Sequence, residues 1–109
     1  MLIAQWTIVL PKDKLDEFVT FWHEKIMPFW LAHGCASTSI FQSVNKQYFP
    51  YQIIEDRTTV TEQLAFNTLR DLEEYLAFNS ENEEAQEITG SYERRFAGKD
   101  PTFRVFEKV

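Results

Sequence analysis

Two histidines and a tyrosine are the side chains of this sequence best suited to moving protons. His23 and His33 fall in one predicted helix, over Lys12 to His33, and Tyr75 falls in a later one. A neutral imidazole accepts a proton near neutral pH, and a phenol can act as an acid toward an enolate. We predict that His23, at the edge of the apolar stripe of its helix, faces a cavity as a general base, with Tyr75 as the second catalytic residue.

Both histidines also have a structural interpretation. His23 fits an ordinary position at the boundary between core and solvent. His33 lies at the centre of the stripe in the last turn, where the helix dipole favours a partly positive imidazole, and general base or axial ligand are its functional alternatives. We interpret His33 as a structural residue.

The sequence contains no pattern typical of a metal or cofactor site. The two histidines are ten residues, or roughly 15 Å, apart along one helix, so they cannot bind one metal ion together. No CxxC, HExxH or glycine-rich phosphate loop is present, and the single Cys35 cannot form an intramolecular disulfide. We predict no metal and no cofactor.

Aromatic side chains make up 16% of the residues, which suggests a cavity for a planar ligand. The candidates for substrate binding are Trp6, Trp22, Phe66, Phe78 and, for an acidic group of the substrate, Arg104. Packing in the core is the alternative for the rings. A cross-strand pair with Glu62 is the alternative for Arg104.

Composition and charge exclude several classes of protein. The length of 109 residues predicts one domain over 1–109. The net charge is −6 and the 11 Lys and Arg are scattered, so we expect no nucleic acid as partner. No apolar run approaches the ~18 residues of a membrane span, and the first residues lack the basic region of a signal peptide. We predict a cytoplasmic protein that does not bind membranes.

The first predicted helix carries an apolar stripe roughly 120° wide and should pack on a sheet. Its residues are Leu15, Phe18, Val19, Trp22, Ile26, Phe29, Trp30 and His33. Gly34 suits a left-handed cap. Pro28 removes the amide that would bond to Glu24, which predicts a kink that either curves the helix or opens a pocket beside His23.

The remaining segments complete an alternating pattern of strands and helices. The predicted strands are Leu2–Leu10, Ala36–Val44, Val60–Phe66 and Thr102–Val109. Capping boxes at Thr68–Asp71 and Ser80–Glu83 predict two helical pieces, the second from about Glu81 to Ala97. Residues 45–59, with Pro50, are interpreted as a hairpin arm or insertion.

This order is that of the ferredoxin-like α+β fold, β-α-β-β-α-β, with an antiparallel sheet and helices on one face. The other face carries Phe41 and Phe106 among polar residues. Such a face would be left open in a monomer. We predict a homodimer formed sheet to sheet.

These segments resemble the antibiotic-biosynthesis monooxygenase-like family of the dimeric α/β-barrel superfamily. The residues that carry the likeness are Trp6 on the first strand, His33-Gly34-Cys35 after the first helix, and Phe66 to Leu72 at a strand-to-helix junction. The resemblance implies a dimer whose sheets face each other. It also implies a pocket between the sheet and helices of each subunit, which we place beside Phe66.

Two chemistries of that family use residues that differ here. Cofactor-free quinone-forming members have a Trp at the junction and an Asn shortly before it, where this sequence has Phe66 and Glu62. Haem-degrading members have an Asn on the first strand, the junction Trp and a His on the second helix. Gln5 and Thr7 lie near the first of these places, and no His follows His33.

The resemblance implies a small cofactor-independent monooxygenase or related enzyme that acts on a planar phenolic or quinol-like molecule. The protein would hold an enolate that reacts with oxygen, while His23 and Tyr75 handle protons. The alternative is a non-catalytic dimeric module that binds a small hydrophobic or aromatic ligand or serves in a stress response. The differing motif residues favour this alternative.

Overall fold

The computed structural model describes residues 1–44 and 56–109 and is built on a four-stranded antiparallel sheet. The strands are β1 Leu2–Pro11, β2 Ser37–Gln42, β3 Arg57–Phe66 and β4 Lys99–Glu107. Their order across the sheet is β2-β3-β1-β4. The helices pack on one face, so the predicted ferredoxin-like α+β fold is confirmed.

The alternation of apolar residues determines which face of the sheet is buried. On β1 the side chains of Ala4 and Ile8 lie in the core, opposite Leu64 and Val60 of β3. Successive side chains of a strand point to opposite faces, so every second residue of each central strand faces the helices. Glu62, between Val60 and Leu64, is therefore directed into the core, and its burial is confirmed by an exposed fraction of 1%.

The first helical region is interrupted where the sequence predicts a kink. A short 3-10 turn, Lys12–Lys14, leads into α1 Leu15–Phe21, a π-helical segment Trp22–Ile26 and α2 Met27–Ala32. The amide of Met27 donates to the carbonyl of Trp22, five residues earlier. Pro28, in the first turn of α2, has no amide to donate to Glu24, and the chain accommodates this loss with a π turn.

The second helical region consists of α3 Leu69–Glu81, α4 Glu83–Thr89 and α5 Tyr92–Phe96. The cap at Thr68 is confirmed, since the amide of Asp71 donates to its hydroxyl at 3.1 Å. The capping box predicted at Ser80 is wrong. Asn82 caps α4 instead, accepting from the amide of Ala85 at 2.9 Å.

A close approach at Gly98 holds α5 against the sheet. A Cβ at this position would overlap the end of the Ile8 side chain on β1, so a larger residue here would require Ile8 to shift. Ala97 ends α5 in the left-handed conformation, with φ of 53°. This turn carries the chain directly from α5 into β4 and places Tyr92 over the centre of the sheet.

The face of the sheet opposite the helices is open. Phe41 and Phe106 on this face are 52% and 46% exposed. On the other face, Phe103 and Val105 of β4 share the side of Trp6 and Ala4 and are also exposed, because the helices stop short of this edge strand. Of the predicted insertion at 45–59, residues 45–55 lie outside the described part of the chain, and Arg57–Thr59 belong to β3.

Among the helices of the described residues, none is long and apolar enough to cross a membrane.

Candidate active site

A buried carboxyl group, that of Glu62, lies at the centre of the helix-covered face. Its Oε2 accepts a hydrogen bond of 2.9 Å from the hydroxyl of Tyr92 on α5. Its Oε1 is buried and makes no hydrogen bond of ordinary geometry among the described residues, and the nearby indole Nε1 of Trp22 is likewise buried without a partner. A buried polar atom without a partner is uncommon in a folded protein and requires an explanation.

Burial raises the pKa of Glu62 to about 8. The low dielectric around the carboxyl disfavours its ionised form. The hydrogen bond from Tyr92 and the nearby indole of Trp22 act in the opposite direction but do not offset burial. At pH 7 this carboxyl is therefore mostly protonated, and its ionised fraction grows as the pH rises through about 8.

A cavity of about 300 Å³ adjoins this carboxyl, between strands β1 and β4 and the helices α4 and α5. Its size suits a small molecule of one or a few rings. Its walls are mostly apolar and aromatic, with a few hydroxyl and carboxyl groups. The lining residues are Trp6, Thr7, Ile8, Glu62, Thr89, Gly90, Tyr92, Glu93, Pro101, Thr102 and Phe103.

Trp6 and Phe103 form one aromatic wall of the cavity. They lie opposite each other on β1 and β4, with ring centroids 4.8 Å apart and planes at 79°. The indole Nε1 of Trp6 is buried without a hydrogen-bond partner among the described residues. The cavity thus brings together an edge-to-face aromatic pair, a donor in Trp6 and a carboxyl in Glu62, each of the polar groups with unused hydrogen-bonding capacity.

Tyr92 holds the carboxyl in place rather than acting as an acid itself. Its ring is buried and packs edge-on against Phe18, with centroids 5.1 Å apart. Burial raises the pKa of Tyr92 well above its usual range, and the nearby Glu62 raises it further. The phenol therefore stays protonated and donates its hydrogen to Glu62 at all pH values in which the protein would work.

Tyr75, the predicted acid, is connected to the cavity through other side chains. Its hydroxyl donates to Oδ1 of Asn79 at 3.4 Å, and the hydroxyl of Thr89, a lining residue, lies 2.8 Å from the same oxygen. Tyr75 is buried, and burial raises its pKa above the usual range of a tyrosine. It lies behind the wall that Thr89 forms and is not among the lining residues.

His23 and Trp22 are neighbours in the π segment but differ in burial. His23 is exposed to solvent and is not among the lining residues, so the structure does not bring it to Glu62. Trp22 is buried beside the carboxyl, behind the cavity wall, and its ring meets that of His23 edge-on at 5.0 Å.

Phe66 and Phe78 lie away from this cavity. Phe66 is fully buried and packs against Tyr75 with ring centroids 5.7 Å apart. Phe78 stacks on His33 at 4.6 Å, and Nδ1 of His33 lies 2.8 Å from the carbonyl of Phe29. A smaller cavity of about 130 Å³ adjoins His33, Tyr75 and Phe78.

Arg104 lies on the opposite face of the sheet from Glu62. It pairs with Gln5 in the register of β1 and β4 and lines a shallow depression with Thr7 and Thr102. The cross-strand pair of Arg104 with Glu62 is therefore wrong, since the carboxyl bonds to Tyr92 across the core.

The described residues contain no group of three or more His, Cys, Asp or Glu side chains placed to hold a metal ion. Cys35 is buried, and its thiol donates to the carbonyls of Ser37 and Ala65. Burial raises the pKa of this thiol, which suits a structural cysteine.

Glu62 and Tyr92 were not predicted as a pair from the sequence. The inward direction of Glu62 could have been predicted from the sequence. Side chains alternate along a strand, so Glu62 lies on the same face as the apolar Val60 and Leu64. Tyr92 was placed on the apolar stripe of its helix, where a hydroxyl needs a partner. Only the fold shows that these two positions, thirty residues apart, meet.

No known family model matches this sequence, and no curated protein is significantly similar to it. Solved structures match its fold over the whole chain. Two assigned as antibiotic biosynthesis monooxygenases come from Deinococcus radiodurans, with 12% identity and a TM-score of 0.64, and Nitrosomonas europaea, with 14% and 0.64. The match extends over 93% and 99% of the lengths of these two proteins, respectively. The fold is monooxygenase-like. An uncharacterized NIPSNAP domain protein from Burkholderia xenovorans has the same fold, with 9% identity, a TM-score of 0.65 and 95% of its chain covered.

The monooxygenase-like fold agrees with the resemblance that the sequence itself suggested. At identities this low the likeness establishes the arrangement of strands and helices and not the chemistry. The chemistry depends on the residues in the cavity, and within this monooxygenase-like fold those residues surround Glu62.

Proposed function

We propose that the protein is a cofactor-independent oxygenase, or a related enzyme, in which Glu62 removes a proton from a small planar phenol or enol. The observation that carries this proposal is the unpartnered Oε1 of a carboxyl that is 1% exposed and lines a cavity. A carboxyl whose pKa lies at about 8 is a stronger base, once ionised, than an ordinary glutamate. The aromatic rings of Trp6 and Phe103, which meet edge to face, offer an aromatic substrate ring faces and edges to pack against.

The proposed reaction starts with a substrate hydroxyl that donates to Oε1 of ionised Glu62. The carboxylate takes the proton and leaves a phenolate or enolate, whose oxygen the indole N–H of Trp6 can stabilise. Dioxygen is the oxidant: the enolate carbon forms a C–O bond with it, and the proton from Glu62 completes a hydroperoxide. For an anthrone-type CH₂ group, loss of water then leaves a ketone, so one oxygen atom is found in the product and one in water.

Oxygen uptake tests this function. The protein, incubated without added metal or cofactor, is expected to consume oxygen with at least one member of a panel of hydroquinones and anthrones, and faster as pH rises through about 8. The rise follows because only the ionised form of Glu62 accepts a proton. Rates equal to those without protein across the whole panel would contradict the proposal, and a parallel titration with haemin tests for haem binding by absorbance.

A non-catalytic ligand-binding module is the second candidate. The observation that favours it is that a carboxyl with a pKa of about 8 is mostly protonated at pH 7, so that the site can bind a ligand by hydrogen bonds without removing a proton. Under this alternative, phenols bind in the cavity and no oxygen is consumed.

We also propose that the protein forms a homodimer through the open face of the sheet. Ile3 and Val9 of β1 lie on this face with the exposed rings of Phe41 and Phe106, and large apolar side chains left in water on an open sheet face favour a partner. Light scattering at micromolar concentration should give about twice the chain mass of 12.9 kDa. Replacing Phe41 with Glu is expected to yield a monomer, whereas a 12.9 kDa species for the unchanged protein would contradict this proposal.

A further inference from the structure

The two carboxyl groups that line the cavity are not balanced by a basic side chain. Glu62 and Glu93 both line it, and the lining contains no Lys, Arg or His among the described residues. Glu62 is buried at the floor, whereas Glu93 is exposed and lies next to Tyr92 on α5. A ligand whose hydroxyl contacts the floor will therefore have its other end near a carboxylate.

Glu93 is not neutralised by the arginines that follow it in α5. Arg94 and Arg95 both bind Glu87 of α4, at 2.8 and 2.7 Å. Glu93 itself has no ion pair among the described residues, and Lys99, at the start of β4, is not part of the lining. The carboxylate at the mouth is thus available to a ligand.

Aromatic rings complete the mouth. Trp6, Tyr92 and Phe103 line the same cavity, and Phe103 is 42% exposed. Faces of Trp, Tyr and Phe attract cations through their quadrupoles, and they give no such attraction to an anion. The carboxylate of Glu93 and the aromatic rings therefore both favour a positively charged group on the ligand.

We infer that the substrate of this site is a phenol or enol with a positively charged side arm, such as an alkylammonium group, and that Glu93 selects it against carboxylated phenols. The inference rests on the proposed function, because it takes Glu62 as the group that receives the hydroxyl. The ammonium group pairs with Glu93 beside the rings, and a carboxylate in the same place is repelled. The free Oε1 of Glu62 is what points to a ligand in the first place, since an acidic rim alone does not.

Three phenols of similar shape test the inference. Tyramine has an ammonium arm at pH 7, para-ethylphenol has an uncharged arm, and para-hydroxyphenylpropionate has a carboxylate arm. Calorimetric titration of the unmodified protein at low salt is expected to rank them in that order, with about a tenfold difference or more in Kd between cation and anion. Added salt should reduce this difference, because exposed charges are screened.

Glu93→Gln provides the decisive variant. It should reduce the cation-to-anion ratio of the binding constants several-fold, and the Kd of para-ethylphenol, which carries no charge, measures any change in the cavity that does not depend on charge. Glu84→Gln is the matched control, since Glu84 is exposed on α4 and outside the lining, so its loss should preserve the ranking. The fraction folded is checked by circular dichroism, and a Glu93→Asp variant, which retains the charge, should preserve the ranking as well.

The outcomes separate this inference from the proposed function. Equal binding of the three phenols, or an unchanged ratio in Glu93→Gln, would overturn charge selection and leave the site at Glu62 in place. If none of the three binds, this inference fails, and oxygen uptake with the panel of hydroquinones and anthrones decides separately whether the proposed function fails with it.

Discussion

Replacing Glu62 with Gln is expected to reduce oxygen uptake with a responsive hydroquinone or anthrone by on the order of 10²-fold or more. The amide has nearly the same shape and can still accept the hydrogen bond from Tyr92, but it cannot take a proton from the substrate. The rise of the rate through pH about 8 should disappear in this variant, because the group that titrates has been removed. The measurement is the initial rate of oxygen consumption from pH 6 to 9.

A surface glutamate provides the matched control for this substitution. Glu73→Gln removes the same charge from an exposed position on α3 and should leave the rate unchanged. Full activity in Glu62→Gln would contradict the assignment. Loss of activity in His23→Ala together with full activity in Glu62→Gln would return the base to the position that the sequence first suggested.

Glu62 is also expected to make the protein less stable as pH rises. Its pKa is about 8 in the folded protein and about 4.5 in the unfolded chain, so between these values the unfolded state releases the proton and the folded state keeps it. The stabilisation is complete below pH 4.5, is lost progressively up to about pH 8, and does not change further above it. The loss is roughly 3–5 kcal/mol from this one group.

Urea unfolding at a series of pH values measures this effect. The difference in unfolding free energy between Glu62→Gln and the unmodified protein should grow in favour of the variant from pH 5 to 8. Tyr92→Phe should move the end of the decline to still higher pH, because the hydrogen bond from Tyr92 lowers the pKa of the carboxyl. A constant difference between Glu62→Gln and the unmodified protein over this range would show that the carboxyl is not buried in the folded state.

The strands and the first cap could be predicted because their signals are local. Alternation of side chains fixes which residues of β1 and β3 face the core, and the hydroxyl of Thr68 bonds to an amide only three residues away. The cap of α4 could not be decided in this way, since Ser80 and Asn82 are both good caps. Tertiary contacts decide it: Ser80 stays in α3, where its carbonyl accepts from the side chain of Gln86.

The histidine positions were predicted on a regular helix, and the helix is not regular. Phe29 and Trp30, beyond the π turn over Trp22–Ile26, are buried as the wheel predicts, but the helix ends at Ala32 and His33 has left the helical conformation. His33, predicted at the centre of the apolar stripe, is exposed beyond the end of α2. Pro28 predicted that the helix would be irregular, but the kind of irregularity depends on how the helix packs on the sheet.

The candidate site depends on contacts that no local pattern contains. The alternation of side chains along β3 shows that Glu62 points into the core, yet a glutamate in the core has many potential partners. Its meeting with Tyr92 requires the break between α4 and α5 and the close approach of Gly98 to Ile8. Trp6 was predicted as a binding residue from its aromatic character and lies in the cavity wall.

Titration of the Glu62 side chain by carbon-13 NMR is the most direct measurement of the central claim, that its carboxyl is the working group of a ligand cavity. The resonance, assigned by its absence in Glu62→Gln, should titrate with a midpoint at about pH 8. Added para-ethylphenol should lower that midpoint, because a hydroxyl that donates to Oε1 stabilises the ionised form. A midpoint near 4.5, or one that saturating phenol leaves unchanged, would contradict the claim.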